Sequence, residues 1–104
     1  MRDKRRYILV ESTVDVAEPA RKQFEHDLFK ELLHNIGETG YFKANPKVMK
    51  YIGSNRFILK CSLVKYKEMV VALTFTKKVG GQNLALYTLN ASGTIKAVEK
   101  ANSP

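Results

Sequence analysis

Residues 83–101 read NLALYTLNASGTIKAVEKA, and the order of patterns in them sets how the chain finishes: a strand, a Ser-Gly-Thr turn and a short helix. Over 83–89 the side chains alternate, with Leu84, Leu86 and Thr88 to one side and Ala85, Tyr87 and Leu89 to the other. That is the two-residue period of a strand. Ser92, Gly93 and Thr94 interrupt it. Ser92 or Thr94 can cap a helix by accepting a hydrogen bond from a free backbone N–H, and Gly93 permits a sharp turn between the elements. Beyond the turn, Ile95, Val98 and Ala101 share one helical face, with Lys96 and Lys100 off it. A helix that starts straight after a strand offers unpaired N–H groups and the positive end of its dipole to an anion such as phosphate. Lys96 adds charge in the first turn. Most such turns are plain caps that bind nothing, so the rest of the chain has to supply the chemistry.

The 104 residues suffice for one domain, 1–104, and not two. Apolar residues make up 44% of them, which makes a packed core feasible. The formal net charge is +8 and the isoelectric point near 9.7. Such a balance suits a polyanionic partner: nucleic acid, an acidic protein or a membrane surface. Cys61 is the lone cysteine, so no disulfide can form within the chain, which fits a reducing, cytoplasmic setting. No run of about 18 apolar residues exists to cross a membrane. The apolar run 7–10 behind the charged start is too short for a signal peptide.

The chain opens with MRDKRR at 1–6, a basic arm that runs straight into YILVE at 7–11, a buried strand. A run of charge is usually a solvated terminus; the sharper reading is an arm held beside the sheet for phosphates. A helix begins between Asp15 and Pro19, through a capping box at 15–18 or with Pro19 as its first residue. Its buried stripe is Ala20, Phe24, Leu28, Leu32 and Ile36, widened by Phe29 and Leu33, and it ends at Gly37 or Gly40. His26 and His34 stand eight apart without a nearby ligand and read as surface residues, not a metal site. Residues 40–47 form a connector in which Pro46 keeps Asn45 out of helical geometry. A strand over 48–52, a turn at 53–55 and a returning strand over 56–63 follow. Phe57, Leu59, Cys61 and Leu63 share one face of that strand; Ile58, Lys60 and Ser62 share the other. Cys61 reads as a small core residue. A second helix starts at Val64 or Lys65 and runs to Lys78 or Val79, where Gly80-Gly81 closes it, although Val70, Val71, Thr74 and Thr76 weaken its propensity.

Strand, helix, strand, strand, helix, strand and an extra helix make an α+β chain. This is the βαββαβ order of ferredoxin-like and RNA-recognition-motif-like sandwiches, with a C-terminal helix added. Many unrelated functions use that order, so it does not supply one.

The motifs do more. Arg6-Tyr7-Ile8-Leu9-Val10-Glu11, Asn45-Pro46 with Tyr51, Lys60-Cys61, and Thr88-Leu89 followed by Ser92-Gly93-Thr94-Ile95-Lys96 resemble the archaeal and eukaryotic ribonuclease P subunit family called protein component 2 in archaea. Lys60 stands where arginine is more usual, which keeps the charge but loses the bidentate fork. Tyr87 stands where that family often has a basic residue. The resemblance implies a non-catalytic subunit of an RNA-based endoribonuclease. In such an enzyme the ribonuclease P RNA, with Mg2+, removes the 5′ leader of precursor tRNA. It also implies a barrel-shaped protein partner, protein component 3, with two copies of each associating as a homodimer within a 2:2 complex. It calls for no membrane and no cofactor or metal held by this chain. Lys4, Arg5, Arg6, Lys60 and Lys96, with the turn Ser92-Gly93-Thr94, are then expected to form one RNA-facing surface. In that surface Arg6 and Lys60 lie close if both point outward, and Lys77 and Lys78 are the next basic region in line.

Two other functions use the same fold order. A generic single-stranded RNA binder would stack bases on sheet aromatics. Tyr7, Phe57 and Tyr87 are available for that, but the usual basic-glycine-aromatic consensus is absent. An acylphosphatase-like enzyme would need a Gly-rich phosphate loop after its first strand, where this chain has Glu11-Ser12-Thr13-Val14-Asp15.

Overall fold

The structure is a computed structural model that describes residues 4–102. Residues 1–3 of the basic arm lie outside the described residues. The first strand, β1 (Arg5–Ser12), leads through a 3-10 turn (Glu18–Ala20) into α1 (Arg21–Ile36) and α2 (Glu38–Ala44). The hairpin β2 (Lys47–Ile52) and β3 (Arg56–Ser62) follows, then a 3-10 turn (Leu63–Lys65) and α3 (Tyr66–Phe75). Two short strands, β4 (Lys78–Val79) and β5 (Gln82–Asn83), pair with each other ahead of β6 (Leu86–Ser92) and α4 (Ile95–Asn102).

The main sheet runs β2-β3-β1-β6 with every neighbour antiparallel, the ferredoxin-like arrangement. Alternation along β1 sorts the sheet into two sides. Ile8 and Val10 pair with Leu59 and Phe57 and face α1, α2 and α3. Leu28, Leu32, Met69 and Leu73 close over them with no exposed surface. Each such side chain contributes about 1.5–3 kcal/mol by leaving water. Phe24 meets Phe57 edge-on at 5.9 Å between ring centres, a favoured aromatic geometry. Leu9 and Ile58 point to the opposite side, where α4 seats Val98 on them and Tyr7, Ile52 and Ile95 pack around. The added C-terminal helix therefore covers the second side of the sheet.

Several expectations need correction. Residues 38–44 are a helix, not an open connector. Gly37 at φ 92° breaks α1, Asn45 at φ 46° ends α2, and burial of Ala44 holds the segment against the core. The Asp15 carboxylate does not cap α1; it accepts a hydrogen bond from the Ser54 hydroxyl at 2.9 Å. Ala20 is exposed, and Leu33 lies at the edge of the stripe. α3 ends at Phe75, and Gly80-Gly81 forms the turn of the β4–β5 hairpin rather than a helix cap. Both glycines have positive φ, which suits a two-residue hairpin turn. Val70, Val71 and Thr74 are accommodated within α3, and only Thr76 and Val79, beyond its end, favour extended backbone. β3 stops at Ser62, so Leu63 belongs to the following turn. The last strand begins at Leu86 and reaches Ser92. Ala101 is exposed rather than packed.

Candidate nucleic-acid interface

β6 sets the position of α4 through one irregularity. Leu9 pairs with Asn90 but Val10 with Thr88, so Leu89 is an extra residue on β6. A bulge of this kind reverses the alternation beyond it. Ala91 therefore packs toward the main core, while Asn90 and Ser92 turn to the α4 side. Thr94, not Ser92, caps α4: the Ala97 N–H donates to Thr94 Oγ1 at 3.2 Å. The start of α4 thus satisfies one of its own free donors.

The start of β1 and the turn into α4 meet. Ser92 lies opposite Tyr7, and a methyl group on Gly93 would sit 3.3 Å from Arg6 Nη1. Glycine at this place lets the guanidinium lie against the backbone. Lys4 is anchored by its carbonyl, which accepts the Leu63 N–H at 2.9 Å. So Lys4, Arg5, Arg6, Ser92, Gly93 and Thr94 do gather at one end of the sheet.

Arg6 and Lys60 do not share a side. Arg6 lies opposite Cys61, whose side chain is in the main core, whereas Lys60 lies opposite Tyr7. Parity puts Arg5, not Arg6, on the same side as Lys60. Burial pushes the Cys61 thiol up to about 11, with the Arg6 cation pulling the other way. The thiol is therefore protonated at neutral pH and a poor nucleophile. Lys96 is exposed, beside Ile95, which packs inward.

The register adds a residue that sequence reasoning passed over. Lys47 on β2 is the direct partner of Lys60 on β3. Like charges placed directly opposite on a sheet repel. Among the described residues no carboxylate forms an ion pair with Lys47, Lys60 or Arg5. Farther along the same side, cations are neutralised: Lys50 Nζ meets Glu99 Oε1 at 3.1 Å, and Arg56 Nη2 meets Glu11 Oε1 at 2.9 Å. A hollow of about 320 Å³ at the basic end is lined by Lys4, Lys43, Ser62 and Val64. Lys43 and Lys47 flank Ala44-Asn45-Pro46, so they are visible as a basic pair in the sequence, but the pairing of Lys47 with Lys60 is not. This end of the sheet is a cluster of cations suited to a polyanion.

The loop after β1 shows the opposite chemistry. The N–H groups of Ser12, Thr13 and Val16 donate to carbonyls of Asn55, Ala85 and Ser54, and that of Val14 donates to Ser12 Oγ. Those groups are not turned toward a phosphate, as an acylphosphatase-like loop requires. The sheet aromatics are also committed. Phe57 is buried, and Tyr7 packs beneath α4; only Tyr87 is largely exposed.

Similarity to known proteins runs along nearly the whole chain. The sequence pattern of the Rpp14/Pop5 family matches residues 6–102. Ribonuclease P protein component 2 of Pyrococcus furiosus is 28% identical over 106 residues, covering 96% of this chain and 83% of that protein. The protein of the same name from Pyrococcus abyssi is 31% identical over 101 residues, covering 96% and 85%. That from Methanosarcina acetivorans is 30% identical over 105 residues, covering 96% and 75%. A chain in the cryo-EM structure of yeast ribonuclease MRP shares the fold, with a TM-score of 0.56 at 10% identity, covering 98% of this chain and 93% of that one. With the family pattern spanning 6–102 and relatives matched along most of their length, this chain belongs to the Rpp14/Pop5 family.

Proposed function

We propose that this protein is a ribonuclease P subunit that binds the RNA of that ribonucleoprotein through the basic end of its sheet. The observation that carries the placement is the Lys47–Lys60 pair, unneutralised beside Arg5 while neighbouring cations hold carboxylates. A cost in self-repulsion is offset when phosphates arrive and release their counterions. Lys4, Arg6, Lys96 and the Ser92-Gly93-Thr94 turn border that end and extend the surface. The catalytic chemistry belongs to the RNA and its Mg2+, which cleave the 5′ leader from precursor tRNA; the protein stabilises the RNA's active region. Protein component 3 is its proposed protein partner, in a 2:2 assembly in the cytoplasm.

The test is reconstitution. RNA subunit and protein partners are combined with and without this chain, and precursor-tRNA cleavage is followed at limiting Mg2+. The expected result is faster cleavage with the chain present and none from protein free of RNA. Cleavage by the RNA-free protein, abolished by changing a single carboxylate, would overturn the reading.

A further inference from the structure

The helix α3 is apolar on both of its faces. Tyr66, Met69, Ala72 and Leu73 turn inward. On the outward line, four residues apart, stand Val71 and Phe75, which are 52% and 67% exposed. A solvent-facing helix normally carries polar residues on that line. Next to it lies a groove of about 420 Å³, lined by Asn35 and Ile36 of α1 and by Lys67, Glu68, Val71, Ala72 and Phe75 of α3. Apolar surface beside a concavity marks an interaction site rather than ordinary exposure.

We infer that the α3 outward line and its groove dock a protein that presents an apolar ridge rimmed by carboxylates. Charge decides the occupant. Residues 64–78 hold Lys65, Lys67, Lys77 and Lys78 against the single carboxylate of Glu68. Lys65 is paired with Glu68 at 3.5 Å, whereas Lys67 at the groove has no ion pair among the described residues. A second copy of this chain would bring lysine against lysine around the same apolar centre. An acidic rim meets those lysines with complementary charge, which steers encounter and rejects the self-pair. Nucleic acid fits less well: Phe75 could stack a single base, but Val71 and Ala72 beside it offer neither a second stacking platform nor a phosphate contact. This inference rests on the ribonucleoprotein reading only in that the RNA-binding end of the sheet remains free for RNA.

The experiment uses the full chain, affinity-tagged and recovered with its native assembly from its source cells. A zero-length amine-to-carboxylate cross-linker is then applied and the cross-linked peptides are sequenced. Phe75→Asp and Val71→Asp are prepared alongside, with thermal unfolding as the check that they fold. Supporting results are cross-links from Lys65, Lys67 or Lys77 to carboxylates flanking an apolar segment of one identified protein. That protein should also fall at least tenfold in the Phe75→Asp preparation, and the recovered RNA should be unchanged. Phe75→Ala serves if the aspartate does not fold, with a smaller loss expected in the same direction. Recovery of the partner in equal amount from the folded variants overturns the inference. So do cross-links only between isotope-distinguished copies of this chain, or binding only to anionic phosphatidylglycerol vesicles. Failure of the ribonucleoprotein reading shows separately, as absence of RNA from the wild-type preparation.

Discussion

One side of the sheet is sealed by three helices, and the other is half covered by one. On the first side, Ile8, Val10, Phe57, Leu59 and Cys61 meet α1, α2 and α3, and among the described residues no charged side chain is buried there. On the second, the eight residues of α4 cover Leu9 and Ile58 through Val98, with Tyr7, Ile52 and Ile95 packed around them. Where α4 reaches, cations are matched by Glu99 and Glu11; beyond it, Lys47 and Lys60 face each other across the hairpin. Stability and recognition are thus separated by sheet face. The thick side holds the fold, and the thin side keeps only enough apolar cover to leave a charged end open.

The largest expected effect lies on the thick side. Leu28→Ala removes a fully buried side chain from the centre of that core and should cost about 2–5 kcal/mol. Chemical denaturation with an unchanged m-value would measure it. A near-neutral result would mean that the α1 stripe is not the core, and the contrast between sides would fail. On the thin side, Val98→Ala removes two buried carbons. At about 0.8 kcal/mol per buried methylene it should cost about 1.5 kcal/mol. The same denaturation series compares the two directly. A Val98→Ala cost equal to that of Leu28→Ala would show that α4 is as integral to the fold as α1.

The thick side was legible in the sequence because it follows simple periods. Leu28 and Leu32 recur at helical spacing, and Phe57, Leu59 and Cys61 alternate along β3; burial at both needs only those patterns. The order of elements also places β1 centrally beside β3, but it leaves open whether the last strand lies beside the first or the third; the structure puts β6 on β1. The site was less legible, because two bulges decide which residues face which side. Counting outward from the turn at 53–55, Arg56 pairs with Ile52, and strict alternation would bring Val48 opposite Lys60. The extra residue Met49 brings Lys47 there instead. Leu89 does the same for β6, turning Ala91 inward. A bulge has no hydrophobic signature of its own, since it changes register without changing composition. Arg6 shows the complementary error. As one of a run of cations it reads as outward-facing, but its parity with Ile8 places it opposite Cys61. The helix α2 was hidden for another reason. Gly37, Gly40 and Pro46 all read as breakers, and only Ala44 and the half-buried Tyr41 hold the segment against the core.

The smallest change in stability should accompany the sharpest difference in binding. Lys47→Ala and Lys50→Ala each remove one lysine from β2, on the same side of the sheet, and neither should shift folding by more than about 1 kcal/mol. Removing Lys47 relieves a like-charge contact with Lys60, so its effect should be neutral or slightly stabilising. Removing Lys50 frees Glu99 from an exposed ion pair and should be neutral or slightly destabilising. RNA binding should separate them further. If Lys47 meets a phosphate, its loss lowers the slope of log K against log salt by about 0.7–0.9, because one counterion fewer is released. Lys50 is already neutralised by Glu99, so its loss should leave the slope unchanged. Both variants would be titrated against the ribonuclease P RNA between low and physiological salt, with sequence preference followed in parallel. Equal slopes for the two would mean that the unpaired lysines are merely solvated. The RNA would then have to meet the protein elsewhere, with Lys77 and Lys78 beside the β4–β5 hairpin as the next region to examine.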